Sequence, residues 1–267
     1  MKAEIAVIGG SGFYKLLDDA EMVHVDTPYG EPSDDIAIGR VGDRNVAFIP
    51  RHGREHTLPP AAINYRANLW ALKSIGVQRV IAPSAAGSLQ AGLKPGDVVI
   101  CDQFVDRTSG RKDTYYDTGP KVAHVSTAHA YCPVLRVLAW AAARRIEMPV
   151  HDGGTVVVIQ GPRFSTYAES RWFSSMGWHL VNMTQYPEVA LARELELCYV
   201  NLSLVTDYDA GLEEDPSVAP VSVEDVTALF GTNIARLRDL VLDLIPNIPA
   251  ERTCSCATAM KSAFIHG

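Results

Sequence analysis

The stretch Cys198-Tyr-Val-Asn-Leu-Ser-Leu-Val-Thr-Asp-Tyr-Asp-Ala-Gly211 decides the fold of this chain. Apolar residues recur at every second position from Val200 to Leu204, which predicts a β-strand. Two acids, Asp207 and Asp209, follow at the carboxyl end of this strand. Residues two apart in an extended chain share a face, so both carboxylates would face the crevice where open α/β sheets bind ligands. Their proximity would keep one of them protonated near neutral pH. A solvated pair of strand-end acids explains the same residues equally well.

The composition describes an ordinary globular protein. Its 267 residues are 47% hydrophobic and 21% charged, which suffices for a sizeable core. A net charge of -7 argues against nucleic-acid binding, although a local group of donors can still bind an anionic small molecule. No stretch approaches the ~20 apolar residues of a membrane helix, and the run from Ile5 to Ile8 is too short for a signal peptide. We therefore expect a cytoplasmic protein without a membrane partner.

The cysteine content also indicates a cytoplasmic protein. Five cysteines without a framework spacing suit a reducing cytosol. Cys254-Ser-Cys256 is the only close pair, and it leaves a metal or redox role open. No second pair or histidine spacing completes a zinc site, so the sequence predicts no metal.

Several other predicted strands end in groups that can bind an anion. The strand Ala3–Ile8 runs into Gly9-Gly10-Ser11-Gly12, which fits neither a dinucleotide fingerprint nor a P-loop. Glycines after a strand allow backbone N–H groups to approach an anion, although a plain turn explains them equally well. Further strand ends carry the groups Arg51-His52, Ser84-Ala85 and Thr184.

The segment His52-Gly-Arg-Glu-His56 has two competing interpretations. It formally matches the H-x-x-E-H zinc motif, which requires a helix to bring both histidines onto one face. Gly53 within the motif and Pro59 shortly after it argue against a helix. An anion site is favoured, with Arg51 as a bidentate guanidinium fork and His52 as an imidazole donor. A basic surface loop remains an alternative.

Strands and helices alternate along the rest of the chain. This predicts an α/β fold: a single domain with a central mixed, largely parallel sheet flanked by helices. We expect the domain to span residues 1–246, with a C-terminal tail at 247–267. The polar segment 108–130 is predicted to be a long loop, and Phe164 either stacks on a flat ligand or anchors the core. Helices are predicted at 61–75, from 133 onward, at 187–195 and from 222 to 246. Strands are predicted at 35–39 and 45–50, which would form a hairpin, and at 98–104.

The chain resembles the trimeric purine nucleoside phosphorylase and 5'-methylthioadenosine phosphorylase family over nearly its whole length. The resemblance rests on these ordered stretches: Ile8-Gly-Gly-Ser-Gly12, Arg51-His-Gly-Arg-Glu-His-Thr57, Asn64-Tyr65 with Asn68, Ala85-Ala-Gly-Ser-Leu89, Pro95-Gly-Asp-Val98, Gly161-Pro-Arg-Phe-Ser165, Asn182-Met-Thr184, Pro187-Glu188 and Thr206-Asp-Tyr-Asp209. It implies phosphate-dependent cleavage of a purine nucleoside by a homotrimer, or a dimer of trimers, without metal or organic cofactor.

The resemblance also implies roles for individual residues. Phosphate would be bound by Ser11, Arg51, His52, Ser84, Ala85 and Thr184. The nucleoside would be bound by Phe164, Ser165, Met183, Asp207, Asp209, Val223 and, from the neighbouring subunit, His124. Asp207 would act at purine N7 and Asp209 near the 6-substituent.

The resemblance favours one substrate. The acid at position 207 favours a 6-aminopurine, and the small apolar Val223 favours a 5'-methylthio group over a hydroxyl. The expected reaction is phosphorolysis of S-methyl-5'-thioadenosine to adenine and 5-methylthioribose 1-phosphate. A 6-oxopurine nucleoside or methylthioinosine phosphorylase is the first alternative, and a non-catalytic nucleoside-binding protein is a more distant one.

Overall fold

The computed structural model describes residues 2–10, 13, 17, 20–212 and 223–264, and only the backbone of residues 211 and 223–232. The strands are β1 (Ile5–Gly9), β2 (Glu21–Val23), β3 (Ile36–Val41), β4 (Arg44–Pro50), β5 (Arg79–Ser88), β6 (Val98–Ile100), β7 (Gln103–Arg107), β8 (Val150–Asp152), β9 (Thr155–Ile159), β10 (Leu180–Asn182) and β11 (Cys198–Tyr208). The α-helices are α1 (Tyr65–Ser74), α2 (Pro133–Arg145), α3 (Tyr167–Ser175), α4 (Gln185–Glu194) and α5 (Val223–Leu244).

All these strands belong to one mixed sheet, and β5 is its centre. The path β2-β3-β4-β1-β5-β10-β9-β7 forks at β5, because β11 pairs with the other edge of β5 and continues to β6 and β8. Strands β4, β1, β5 and β11 are mutually parallel. Their carboxyl ends therefore meet at one edge of the sheet, as the sequence predicts. The predicted fold class is confirmed.

Two apolar layers cover the sheet. One cluster, which includes Leu69, Leu72 and Leu191, packs α1 and α4 against one face. The other includes Leu135 and Leu240 and packs α2 and α5 against the opposite face. Side chains alternate along each strand, so β11 contributes Val205 to the first cluster and Leu204 to the second. The carboxyl edge of the sheet is thus supported from both sides by close-packed side chains.

Most predicted elements are present. The hairpin β3–β4 and the helices α1, α2, α4 and α5 lie where the patterns place them, within a few residues. Within the segment 108–130 the structure shows no helix or strand, and only Ala123 forms an isolated bridge, with Phe264. The predicted strand at 98–104 is instead two strands, β6 and β7, which pair with different neighbours. The short strands β2 and β8 and the helix α3 are additional to the predicted set.

The C-terminal segment packs onto the domain. Ile248 and Cys256 lie in the second apolar cluster, and Met260 is also buried. Buried Arg79 donates hydrogen bonds to the carbonyl groups of Pro249 and Ala250. The boundary at residue 246 stays a prediction. Among the described helices, none has the length and apolar character needed to span a bilayer.

Candidate active site

A cavity of about 540 Å³ opens at the carboxyl edge of the parallel strands. It brings together ten of the predicted site residues: Arg51, His52, Ser84, Ala85, Phe164, Ser165, Met183, Thr184, Asp207 and Asp209. They come from segments as far apart in sequence as β4 and β11, so they come together only in the folded chain. A pocket of this size suits a ligand as large as a nucleoside with an additional small anion.

Arg51 is held differently from the prediction. Its Nε and Nη2 atoms donate to both carboxylate oxygens of Glu188, at 2.7 and 2.9 Å, within the protein interior. Nη2 also donates to the Ile8 carbonyl, and Nη1 donates to the Pro83 carbonyl. The expected bidentate grip on an anion is therefore wrong, since Glu188 occupies the fork. One hydrogen of Nη1 remains for a ligand in the cavity.

The ion pair with Glu188 fixes the charge state of Arg51. Burial alone would lower the pKa of this guanidinium, but the adjacent carboxylate more than compensates, and the pKa is raised. Glu188 also accepts a hydrogen bond of 2.7 Å from Tyr199. Glu188 belongs to one of the matched motifs, yet its chemistry gave no sign that its partner would be Arg51.

His52 is a neutral acceptor toward the cavity. Its Nδ1 lies 2.9 Å from the Leu58 carbonyl, which can only accept, so Nδ1 carries the hydrogen. Burial, with further contributions from Arg51 and His56, lowers its pKa to about 4 despite the Leu58 hydrogen bond. Nε2 then presents a lone pair at neutral pH. The sequence predicts a donor, and the structure shows the opposite polarity.

A buried polar network lies beneath Ser84. Asn201 donates to the Ser84 hydroxyl oxygen over 3.1 Å and to the Ala82 carbonyl over 2.9 Å. Ser203 in turn donates to Asn201 over 2.6 Å. Because the Ser84 oxygen already accepts, its own hydrogen is left for an acceptor, either Ser203 at 3.3 Å or an anion in the cavity. Asn201 and Ser203 were not predicted as site residues, although both lie on β11.

Asp207 and Asp209 both face the cavity, as the spacing predicts. A Cβ atom added to Gly87 would lie 3.4 Å from Asp207 Oδ2 and 3.4 Å from Asp209 Cβ, so both acids flank this glycine. Burial, reinforced by the negative charge of Asp209, raises the pKa of Asp207 to about 6. A hydrogen bond from Thr206 opposes this shift. Ser165 Oγ lies 2.7 and 2.8 Å from the two carboxylate oxygens of Asp209 and fixes its orientation.

Phe164 and Met183 give the cavity an apolar wall. Phe164 is 42% exposed at the cavity and is not a core residue. Met183 packs against the cluster that contains Phe173 and Val181. Gly161 adopts φ +63°, and a Cβ atom there would lie 2.6 Å from the Met183 sulfur. Glycine is thus required at this position by both backbone conformation and close approach.

Asn182 is the clearest residue that sequence reasoning missed. It lines the cavity and is 5% exposed, yet neither atom of its side-chain amide has a hydrogen-bond partner. Buried polar groups are nearly always paired, so an unpaired amide at a cavity wall indicates a contact with ligand or water. The only available signal was its place in the motif Asn182-Met-Thr184.

Three predicted residues are not placed in the cavity. Ser11 lies outside the described residues, as does the side chain of Val223. His124 is exposed, and its backbone N–H donates to the Ala263 carbonyl, away from the cavity of its own chain. The segment 51–56 forms turns and no helix, so the H-x-x-E-H geometry is absent from this described segment. Instead, the His52 and His56 rings stack with centroids 4.4 Å apart.

Most of the chain matches a known family. The sequence profile described as the phosphorylase superfamily matches residues 4–246. The chain belongs to this superfamily. The resemblance found in the sequence is thereby confirmed, and the cavity lies within the matched region.

Individual members of the superfamily are close in sequence and structure. The S-methyl-5'-thioadenosine phosphorylase of Mycolicibacterium smegmatis is 56% identical, over 95% of this chain and 95% of the relative. The purine nucleoside phosphorylase of Streptomyces coelicolor is 54% identical, over 97% of this chain and 95% of the relative. The structure of Schistosoma mansoni methylthioadenosine phosphorylase in complex with adenine superposes with a TM-score of 0.91 at 38% identity, covering 98% and 97% of the two chains.

Proposed function

We propose that this protein cleaves S-methyl-5'-thioadenosine with inorganic phosphate, yielding adenine and 5-methylthioribose 1-phosphate. The observation that carries the proposal is the acid pair Asp207 and Asp209 at one cavity with Arg51 and Ser84. A purine can reach the acids while a phosphate lies beside the donors, with the sugar between them. Relatives named for methylthioadenosine phosphorolysis, at 56% identity, support this substrate.

The acid part of the cavity serves the departing base. When the bond between C1' of the ribose and N9 of the purine breaks, its electron pair moves into the purine ring. Asp207, with a pKa near 6, donates its proton to N7 and neutralises that charge. Solvent then returns a proton to Asp207. The pKa is close enough to neutrality for the carboxyl group both to hold and to release this proton.

The phosphate part of the cavity serves the nucleophile. A phosphate oxygen forms the new bond to C1' as N9 leaves, and positive charge on the ribose is offset by the neighbouring anion. The free Nη1 hydrogen of Arg51 and the Ser84 hydroxyl donate to phosphate oxygens, joined by Thr184 and the Ala85 backbone. Neutral His52 Nε2 accepts a hydrogen bond from the hydroxyl of hydrogen phosphate. The proton of that hydroxyl finally passes to solvent, which balances the one taken up by Asp207.

The acid pair also favours a 6-aminopurine. Adenine offers an acceptor at N7 and a donor at the 6-amino group, which match a protonated Asp207 and an accepting oxygen of Asp209. A 6-oxopurine offers acceptors at both positions and lacks the donor that Asp209 needs. The relative named purine nucleoside phosphorylase, at 54% identity, keeps 6-oxopurine nucleosides and methylthioinosine as the second candidate class.

We further infer a cytoplasmic homotrimer without an organic cofactor or a catalytic metal. The resemblance assigns His124 to the neighbouring subunit's site, and its exposure away from its own cavity supports that assignment. The two acids and the anion donors supply the proton transfer and charge stabilisation that the reaction requires.

A substrate panel tests the function. The protein is incubated with methylthioadenosine, methylthioinosine, adenosine or inosine, each with and without phosphate, and the released base is quantified by chromatography. We expect adenine from methylthioadenosine at the highest rate, and only with phosphate. The preference over adenosine should lie within ~10–200-fold, as is usual for an apolar pocket that distinguishes one small group. Faster cleavage of methylthioinosine would favour the second class, and base release without phosphate would contradict phosphorolysis.

A further inference from the structure

Four of the five cysteines converge far from the cavity. The sulfur atoms of Cys132, Cys198, Cys254 and Cys256 all lie within 4.8 Å of one another. Cys132 immediately precedes α2, Cys198 begins β11, and the other two stand in the C-terminal segment around the 3-10 helix Ser255–Thr258. The fold thus places Cys132 and Cys198 beside the pair Cys254-Ser-Cys256, although neither lies near that pair in the sequence.

The arrangement fits a tetrahedral thiolate site. Zinc–sulfur bonds of about 2.3 Å place the four sulfur atoms about 3.8 Å apart, which the observed separations allow. Cys198 Sγ and Cys254 Sγ are 3.3 Å apart, beyond the length of about 2.0 Å of a disulfide bond. All four cysteines are free thiols in the structure. Small movements of the side chains would therefore bring all four to one ion.

A buried cationic side chain lies beside this cluster. Arg79 is 2% exposed, and it is the direct partner of Cys198 in the pairing of β5 with β11. Its Nη1 atom has no hydrogen-bond partner. A zinc ion with four thiolates carries a net charge of -2, which a buried guanidinium on the same strand pair would offset. Cys132 also caps the N-terminus of α2, where the helix dipole favours an anion.

We propose that Cys132, Cys198, Cys254 and Cys256 bind one Zn²⁺ as a closed structural site. Three of the ligands are buried, and half-buried Cys254 forms the outer side through which the ion enters. Binding converts the thiols to thiolates and releases their protons to solvent. The ion ties the C-terminal segment to the start of β11 and to α2. All four positions are protein thiols, so no open position remains for a substrate or a water.

The first test measures metal on the intact protein. The chain is purified in reducing buffer with zinc supplied during expression, dialysed against metal-free buffer, and analysed for metals by mass spectrometry. We expect about one zinc per chain. Replacement by Co²⁺ should give sulfur-to-cobalt charge-transfer bands and the intense visible bands of tetrahedral cobalt. These measurements need no variant, so they remain decisive even if a substitution impairs folding.

Two matched substitutions locate the ion. Cys254→Ser changes the most accessible ligand, whereas Cys101→Ser changes a buried cysteine beside Ser203 and outside the cluster. We expect Cys254→Ser to lose at least half of the bound zinc and to lower the melting temperature in the presence of zinc. Cys101→Ser should retain the full metal content and the cobalt spectrum.

Three outcomes would overturn the proposal. One is protein that contains no zinc after this preparation and whose five thiols are all titrated as free once the chain is unfolded. Another is a disulfide within the cluster in protein trapped with an alkylating agent at lysis and analysed by mass spectrometry. The third is a zinc content unaffected by Cys254→Ser, which would place the ion elsewhere. None of these results bears on the phosphorolysis proposal, because the cluster lies at the other end of β11.

Discussion

The two ends of β11 hold their polar side chains in opposite ways. At the amino end, Cys198 lies in a cluster closed by three other thiols and by the C-terminal segment. At the carboxyl end, Asp207 faces an open cavity with its pKa raised by burial and by Asp209. Nine residue steps of about 3.3 Å separate Cys198 from Asp207 by roughly 30 Å. The comparison indicates that one strand carries a group kept available for proton transfer and, well apart from it, a group enclosed for structure.

The largest effect is expected at the open end. Asp207→Ala removes the proton donor to purine N7, and general-acid catalysis is typically worth ~10²–10⁴-fold. We expect kcat for methylthioadenosine phosphorolysis to fall by about that factor, measured by adenine release at saturating phosphate. The wild-type rate should decline as pH rises above about 6, because only protonated Asp207 can donate.

The control for this prediction is Asp43→Ala. Asp43 lies fully exposed in the turn between β3 and β4, distant from the cavity, so its replacement removes a carboxylate without touching the site. Its kcat should stay near the wild-type value. A nearly normal kcat for Asp207→Ala would refute the role assigned to this residue and would remove the functional contrast between the two ends of β11.

A second prediction concerns the enclosed ion pair beneath the phosphate part of the cavity. Glu188→Ala leaves the buried Arg51 charge without its partner, which typically destabilises a protein by about 3–5 kcal/mol. The free energy of unfolding from denaturant titration should fall by that amount. Tyr199→Phe removes only one hydrogen bond to Glu188, so its expected cost is about 0.5–1.5 kcal/mol. Similar losses for both variants would show that the pair contributes little beyond one neutral contact.

How well the sequence predicts a structural feature depends on how far apart in the sequence the interacting residues lie. Local patterns are sufficient for β11, for the hairpin β3–β4 and for the approach of Asp207 to Asp209, because alternation and residue spacing are properties of a single segment. The sequence also contains a signal for the start of α3, because Thr166 and Glu169 form a capping box. The strand β8 pairs at the edge of the sheet. Its three residues are too few for a periodic pattern to be recognised in the sequence.

Long-range pairings explain what local patterns could not predict. Arg51 and Glu188 are 137 positions apart, so nothing near either residue showed that the guanidinium fork would be occupied. The polarity of His52 depends on the Leu58 carbonyl, a backbone contact created by the turn. The thiol cluster is similar, since Cys132 and Cys198 join the pair Cys254-Ser-Cys256 only after the strands assemble. Sites built from residues of several helices and strands can therefore be recognised only in the folded chain.

The last predicted effect concerns the pH dependence of stability at the carboxyl end of β11. Folding raises the pKa of Asp207 from 3.8 to about 6, so the stability that this carboxyl group contributes in its protonated form is lost as pH rises between these values. Asp207→Asn cannot ionise, and we expect it to gain about 1–3 kcal/mol over wild type at pH 8 relative to pH 4, allowing for the partial exposure of the carboxyl group. Denaturant unfolding at several pH values measures this difference. Cys101→Ser is the control, because the pKa of Cys101, raised to about 11 by burial, lies far above the window. A pH-independent difference for Asp207→Asn would show that folding leaves the pKa of Asp207 unchanged, and the proton-donor assignment would then lose its physical basis.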